Sequence, residues 1–285
     1  MPLTTAPPVP HTTLSQPAPH VLLVTLARPA ALNAIPTAQH TALAALWRWF
    51  DAQPSLRCAV VTGAGRAFCA GADLREWDAA AGSADGNGGG GGAGGAAGGV
   101  VGDGFGGLSN RAGGGRKPVV AAVNGLCYGG GMEMVVNCDV VVADGVRARF
   151  GLPEVTRGVV AVAGALPRLV RTVGRQRAAE MVLLGRVGYT AAEMKSWGVV
   201  NFVVAEGEVV AEAVRVAAEI AANSPDAVVV SREGLRLGWE GIGPEAGTEV
   251  LARGMYGRID AGENMREGVR SFVEKRRPVW KDSKL

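Results

Sequence analysis

Two segments end short apolar runs with small residues, Cys69-Ala70-Gly71-Ala72-Asp73 and Tyr128-Gly129-Gly130-Gly131-Met132-Glu133. Each reads as a strand turning into a helix. Small side chains let a ligand approach the backbone, and a helix N-terminus offers unpaired N–H groups to negative charge. Two N–H groups converging on one carbonyl oxygen stabilise an enolate, an effect of ~3–4 kcal/mol per donor in comparable sites. Taken singly, each segment is equally well a tight strand-to-helix turn. Glu133 alone is a first-turn glutamate complementing the helix dipole, and Glu154 alone is a carboxylate in a surface turn.

Other chemistries fit poorly. The three histidines, His11, His20 and His40, precede both segments, which argues against a Ser-His-Asp triad or a histidine-rich metal site. Cys58, Cys69, Cys127 and Cys138 form no CxxC pair and lie in apolar segments, as reduced buried thiols do. No histidine is near in sequence to activate one of them. Glycine-rich matches to GxGxxG have no strand leading in and no helix leading out, and no Gly-Lys-Ser/Thr occurs, so a P-loop is absent. A net charge of +3 without a long basic block speaks against nucleic acid but suits a phosphorylated ligand. The longest apolar runs, such as Val135 to Val142, are interrupted by Asn137, Cys138 and Asp139, so no segment reads as membrane-spanning.

The elements that must position these segments follow from patterning. A chain of 285 residues, 48% hydrophobic, can bury a full core. Residues 1–20 are rich in proline and threonine and lack a signal-peptide run, which predicts a disordered or extended leader. Val21 to Ala27 reads as a buried strand ended by Arg28-Pro29. Pro36 then opens a helix whose Leu43, Leu46, Trp47 and Phe50 follow a helical period. Cys58 to Thr62 is a second strand. Residues 82–116 are dominated by glycine and read as a mobile loop. Strands follow at Val119 to Val123 and Val140 to Ala143, around a helix from Gly129 to Asn137. Helical patterns at Arg168 to Leu184 and Ala191 to Trp197 precede a strand at Val199 to Val204. From Glu206 the chain reads as helical to about Glu274. Strands and helices alternate first and helices dominate last, so the class is α/β, with a core over 21–205 and a helical region over 206–285.

In that order and spacing the motifs resemble the enoyl-CoA hydratase (crotonase) family. The resemblance rests on Arg28-Pro29 with Asn33-Ala34, Gly65-Arg66-Ala67-Phe68-Cys69-Ala70-Gly71-Ala72-Asp73-Leu74, Ala122-Val123-Asn124-Gly125, Gly129 to Glu133, Cys138-Asp139 and Phe150-Gly151-Leu152-Pro153-Glu154. It spans roughly Val21 to Lys275. It implies a spiral of ββα units with a C-terminal helical region that packs trimers, or a dimer of trimers. It implies an oxyanion hole from the Ala70 and Gly130 N–H groups, and Glu133 and Glu154 as the two catalytic acids of the hydratases. The backbone of Ala70, Gly71, Ala72, Asp73 and Leu74 would cradle the adenine end of coenzyme A, and Phe272 and Lys275 would reach a neighbour's coenzyme A. No separate cofactor or metal is implied, because coenzyme A arrives as part of the substrate.

Hydration needs two carboxyl groups. Water loses a proton as it attacks the β-carbon while the α-carbon gains one, so a base (Glu133) and an acid (Glu154) should have their pKa values pushed apart. An enoyl-CoA delta-isomerase of the same fold is the nearest alternative, since one carboxylate can shuttle a proton between carbons. A non-catalytic coenzyme A- or RNA-binding protein on this fold is another, disfavoured by only 5% aromatic residues. One departure stands out: Val162 occupies a position where the family's hydratases usually carry glycine, and a bulkier residue there would reshape the acyl pocket or displace the water. The sequence closes on Ser283-Lys284-Leu285, which matches the receptor-read address for peroxisomes and predicts that location.

Overall fold

Strands that are apolar at every position need cover on both faces, and the long strands here receive it. The computed structural model describes residues 5–82, 102–111 and 115–285. Among these residues ten strands form two sheets. β1 (Thr12–Ala18), β2 (Val21–Leu26), β3 (Cys58–Gly63), β5 (Val119–Val123), β7 (Val140–Asp144) and β10 (Phe202–Val204) make a six-stranded sheet in the order β1-β2-β3-β5-β7-β10. Only the β1–β2 pair is antiparallel there. β4 (Ala67–Cys69), β6 (Leu126–Tyr128), β8 (Arg149–Gly151) and β9 (Val187–Thr190) make a second sheet in that order, with β4, β6 and β8 parallel. From β3 to β8 the chain alternates strictly between the sheets, a long strand followed by a short one, which is the repeating turn of the spiral.

Side-chain alternation along the long strands separates two cores. Val21, Cys58, Val60, Val120, Ala122 and Val142 face a helix, α7 (Val209–Ala221), which answers with Val209, Ala213, Val216, Ala217 and Ala221 at helical spacing. The intervening residues, among them Leu22, Val24, Ala59, Val61, Ala121 and Val123, face the main core with Leu43, Leu46, Trp47 and Phe50 of α1 (Thr37–Ala52). Other helices include α2 (Leu74–Gly82), α3 (Gly130–Val135), α4 (Ala165–Val173), α5 (Arg175–Leu183), α6 (Ala191–Ser196), α8 (Pro225–Trp239), α9 (Pro244–Leu251) and α10 (Glu263–Val273). Chemistry sets several starts. Thr190 and Glu193 form a capping box on α6, and Ser224 caps α8 with Pro225 in its first turn.

Two expectations are corrected. The segment read as a disordered or extended leader is structured over its described part: Thr12–Ala18 pairs with β2 across a turn at His20, with a register irregularity between Ser15 and Ala18. Pro17 is tolerated because β1 is an edge strand. The mobile loop expected over 82–116 falls largely outside the described residues, but its part at 102–111 is packed. Phe105, Leu108, Ser109 and Arg111 are buried, and Trp47 donates its indole N–H to the Gly106 carbonyl at 3.0 Å. Phe105 and Leu108 anchor that stretch by burial, and ion pairs from Arg48 to Asp103 and from Arg111 to Asp51 tie it to α1.

Candidate active site

Three site segments follow the C-terminal ends of three adjacent parallel strands. Ala70 to Asp73 leaves β4, Gly129-Gly130 leaves β6, and Leu152-Pro153-Glu154 leaves β8. The β4-β6-β8 register therefore gathers segments far apart in sequence around one cavity of about 410 Å³. Its walls include Ala70, Gly71, Ala72, Gly129, Gly130, Glu133 and Glu154, with apolar surface from Ile35, Leu74, Trp77, Phe105, Val160 and Val162. The glycines are demanded by closeness. A Cβ on Gly130 would lie 2.4 Å from the Phe105 ring, and Gly129 adopts φ +55° with its would-be Cβ 3.3 Å from Glu154 Oε1. An open hollow of about 670 Å³ along α10 shares no residue with this cavity.

The amides correct one assignment. Ala70 N–H donates to the Leu32 carbonyl at 3.0 Å and is not free to bind a ligand. Two residues on, the Ile35–Ala72 bridge uses the Gly71 carbonyl and the Asp73 N–H, and leaves the Ala72 N–H without an acceptor among the described residues. The Gly130 N–H opens α3 and has no intrahelical partner. A Cβ on Gly71 would lie 3.4 Å from the Gly130 nitrogen, so the two strand ends are close. The acceptor-free pair is thus Ala72 and Gly130.

Both carboxyl groups line the cavity. Glu133 is 4% exposed; its Oε1 accepts from Ala163 N–H at 2.8 Å and Ala165 N–H at 3.4 Å. Burial pushes its pKa up to about 7, and the neighbouring Glu154 charge pushes the same way against the two amide bonds. Burial also raises the Glu154 pKa, and its Oε2 is buried without a hydrogen-bond partner. The turn that holds Glu133 is itself tied down. Ser109 Oγ accepts from Phe105 N–H at 2.6 Å and donates to the Ala163 carbonyl at 2.7 Å. Arg168 donates to Gly164 at 3.2 Å and to Asn110 at 3.1 Å.

The remaining expected residues divide. Leu74 lines the cavity, whereas the Asp73 carboxylate pairs with Arg28 at 2.9 Å and fixes the loop from outside. Phe272 is 84% exposed, and neither it nor Lys275 lines the cavity of its own chain. Val162 is 58% exposed and lines the cavity, while the amide that follows it holds Glu133. His40, set aside on sequence grounds, stands in the cavity wall with Thr37 and Thr41. Its spacing of three and seven residues from Leu43 and Trp47 was the available signal, since it places His40 on the inward face of α1. Among the described residues no group of three or more His, Cys, Asp or Glu is arranged to hold a metal. Cys58, Cys69 and Cys127 are buried and Cys138 is half-buried, all free. Burial raises every one of these thiols, Cys69 to about 12.

Over residues 18–283 the chain matches the family described as Enoyl-CoA hydratase/isomerase. It is similar to the Mevalonyl-coenzyme A hydratase SIDH of Beauveria bassiana, 62% identical over 100% of both chains. It is also similar to the Mevalonyl-coenzyme A hydratase sidH of Aspergillus fumigatus, 49% identical over 95% of each. Among solved structures it resembles a probable enoyl-CoA hydratase/isomerase from Mycobacterium abscessus. That structure is 35% identical, with a TM-score of 0.81, over 96% of this chain and 99% of that one.

Proposed function

The chain belongs to the enoyl-CoA hydratase/isomerase family and is an enoyl-CoA hydratase, and we propose that its acyl substrate is of the mevalonyl type. The observation that carries the site assignment is the pair of pKa-raised carboxyl groups, Glu133 buried and Glu154 half-buried, beside two acceptor-free amides. A mevalonyl thioester bears a hydroxyl and a methyl group on its β-carbon and a second hydroxyl at the chain end. In dehydration the α-carbon loses a proton, the electron pair forms the α,β-double bond, and the β-hydroxyl leaves as water after taking up a proton. Hydration reverses each step.

In this reading the Ala72 and Gly130 N–H groups hold the thioester oxygen and stabilise the enolate. Glu133, oriented by two amide donors and poised near neutrality, removes the proton from attacking water. Glu154, whose buried Oε2 lacks a partner, is the carboxyl group that exchanges a proton with the α-carbon. Having both groups in the cavity favours hydration over isomerisation. The backbone from Ala70 to Leu74 takes the adenine end of coenzyme A, and no further cofactor enters these steps. The test is absorbance of the conjugated thioester, with mevalonyl-CoA, its dehydrated form and crotonyl-CoA offered separately. Turnover of crotonyl-CoA alone would retain the hydratase and remove the mevalonyl assignment.

Two larger-scale expectations belong to the same proposal. Three chains, or six as a dimer of trimers, associate through the C-terminal helices, whose Leu235, Val250, Val269 and Phe272 are exposed. Through that contact Phe272 and Lys275 would reach a neighbour's coenzyme A. Ser283-Lys284-Leu285 addresses the protein to peroxisomes by way of an import receptor. The tripeptide is not a free tail in one chain, because Ser283 Oγ bonds Asp226 at 2.5 Å and Lys284 lies 3.5 Å from Glu263. A receptor must displace these surface contacts, each of small worth. Removing the tripeptide from a tagged chain should shift it to the cytosol, and unchanged peroxisomal localisation would reject the address.

A further inference from the structure

The acyl cavity has one polar wall that the hydration steps do not use. It belongs to α1, where Thr37, His40 and Thr41 share a face and all line the cavity. His40 is the most firmly held. Its Nδ1 lies 3.0 Å from the Gly106 amide nitrogen. An amide N–H can only donate, so Nδ1 is the acceptor and the ring proton resides on Nε2. The Phe105 ring packs edge-on against the imidazole, with centroids 4.4 Å apart at 88°. Burial lowers the His40 pKa to about 4, which keeps the ring neutral in the physiological range. No described residue accepts a hydrogen bond from Nε2.

We propose that His40 is a specificity-determining residue whose Nε2–H, flanked by Thr37 and Thr41, donates to a hydroxyl carried by the acyl chain beyond the reacting carbons. The inference rests on the hydratase reading of the same cavity and deepens it by assigning the atom that reads the substrate's second oxygen. A neutral imidazole suits an uncharged hydroxyl. A terminal carboxylate would instead select a cation, and among the described residues the one lining this cavity is Arg157 on its exposed rim. A hydrocarbon tail would cover Nε2–H and leave it unpaired, so discrimination comes from a penalty on the wrong substrate.

The test uses side-chain shape. In His40→Asn the amide oxygen falls where Nδ1 sits, so the bond from Gly106 survives while the distal donor is lost. In His40→Gln an amide nitrogen returns near the Nε2 position. The readout is a ratio: kcat/KM for hydration of a 3-methyl enoyl-CoA with a terminal hydroxyl, divided by that for the same thioester lacking the hydroxyl. His40→Asn should lower the ratio ~10–100-fold and His40→Gln should regain part of it. A common loss on both thioesters with the ratio unchanged overturns the assignment, because it describes a structural role. A wild-type ratio near one overturns the underlying substrate reading instead. A wild-type preference for a terminal carboxylate that vanishes in Arg157→Ala, and not in His40→Asn, transfers the role to Arg157.

Discussion

Glu133 is pulled in opposite directions by its surroundings. Two backbone amides favour its charged form, and burial with Glu154 nearby opposes it more strongly, so the carboxyl titrates at about 7. Glu133→Gln and Glu154→Gln should each lower hydration ~10²–10⁴-fold with thioester binding retained, and near-wild-type turnover in either variant would strike that residue from the mechanism. Wild-type kcat/KM should rise with pH through about 7 as Glu133 deprotonates. The same shift bears on stability. Between about 4.5 and about 7 the folded protein holds a proton at Glu133 that the unfolded chain has released, so stability falls as pH rises through that window. Above it the burial of this charge costs about 3 kcal/mol. Calorimetry at pH 8 should therefore find Glu133→Gln more stable than wild type, by on the order of 5 °C in Tm, with the gain gone near pH 4. An unchanged Tm at pH 8 would mean the carboxylate is better solvated than its burial implies. At this scale the family resemblance pointed to both glutamates and Gly130, and the fold places all three in the wall of one cavity. The resemblance misplaced the other amide by two residues, because only strand register shows that the Ala70 N–H is spent on Leu32 while that of Ala72 is open.

Among the elements, the segment from 104 to 111 has consequences beyond its length. Phe105 walls the cavity, fixes His40 and forbids a side chain at Gly130, and Ser109 links it to the turn that carries Glu133. Ser109→Ala leaves a buried N–H and a buried carbonyl without partners, a loss of about 1–3 kcal/mol. Denaturant titration should show it, together with reduced kcat as the Ala163 turn loosens. Stability loss with kcat unchanged would mean that turn is held by Arg168 and its own backbone alone. This coupling was invisible in a stretch whose composition is mostly glycine. The second sheet was foreseen only in part: the runs ending at Cys69 and Tyr128 read as strands, but Arg149–Gly151 and Val187–Thr190 are too short to display a period of two. The five-residue and longer strands Val119–Val123 and Cys58–Gly63 were plain, as was the helical period of α1.

Across the whole molecule, α9 and α10 are late helices that bury no apolar side chain in one chain among their described residues. Val269 and Phe272 are 65% and 84% exposed on α10. Sedimentation velocity should find an assembly of three or six chains, and Val269→Asp with Phe272→Asp should shift it toward single chains; a wild-type monomer would leave that face unexplained. Helical character in this region was legible from its patterning, and what the helices cover was not, because a neighbour's surface is not written in the chain. The pairing of β1 was missed for a related reason: a mostly polar edge strand carrying a proline is decided by the strand it joins. The four buried or half-buried thiols have a consequence for chemical endurance. Peroxide and alkylating reagents attack the thiolate, and burial here both suppresses that form and denies access to it. None of the four is needed for the proposed proton transfers. The folded enzyme should keep its hydration rate through exposure to iodoacetamide or hydrogen peroxide, and mass spectrometry should find all four sulfurs unmodified until it is denatured. In a compartment where oxidases release peroxide, that durability would separate the lifetime of its catalysis from the redox state of its surroundings.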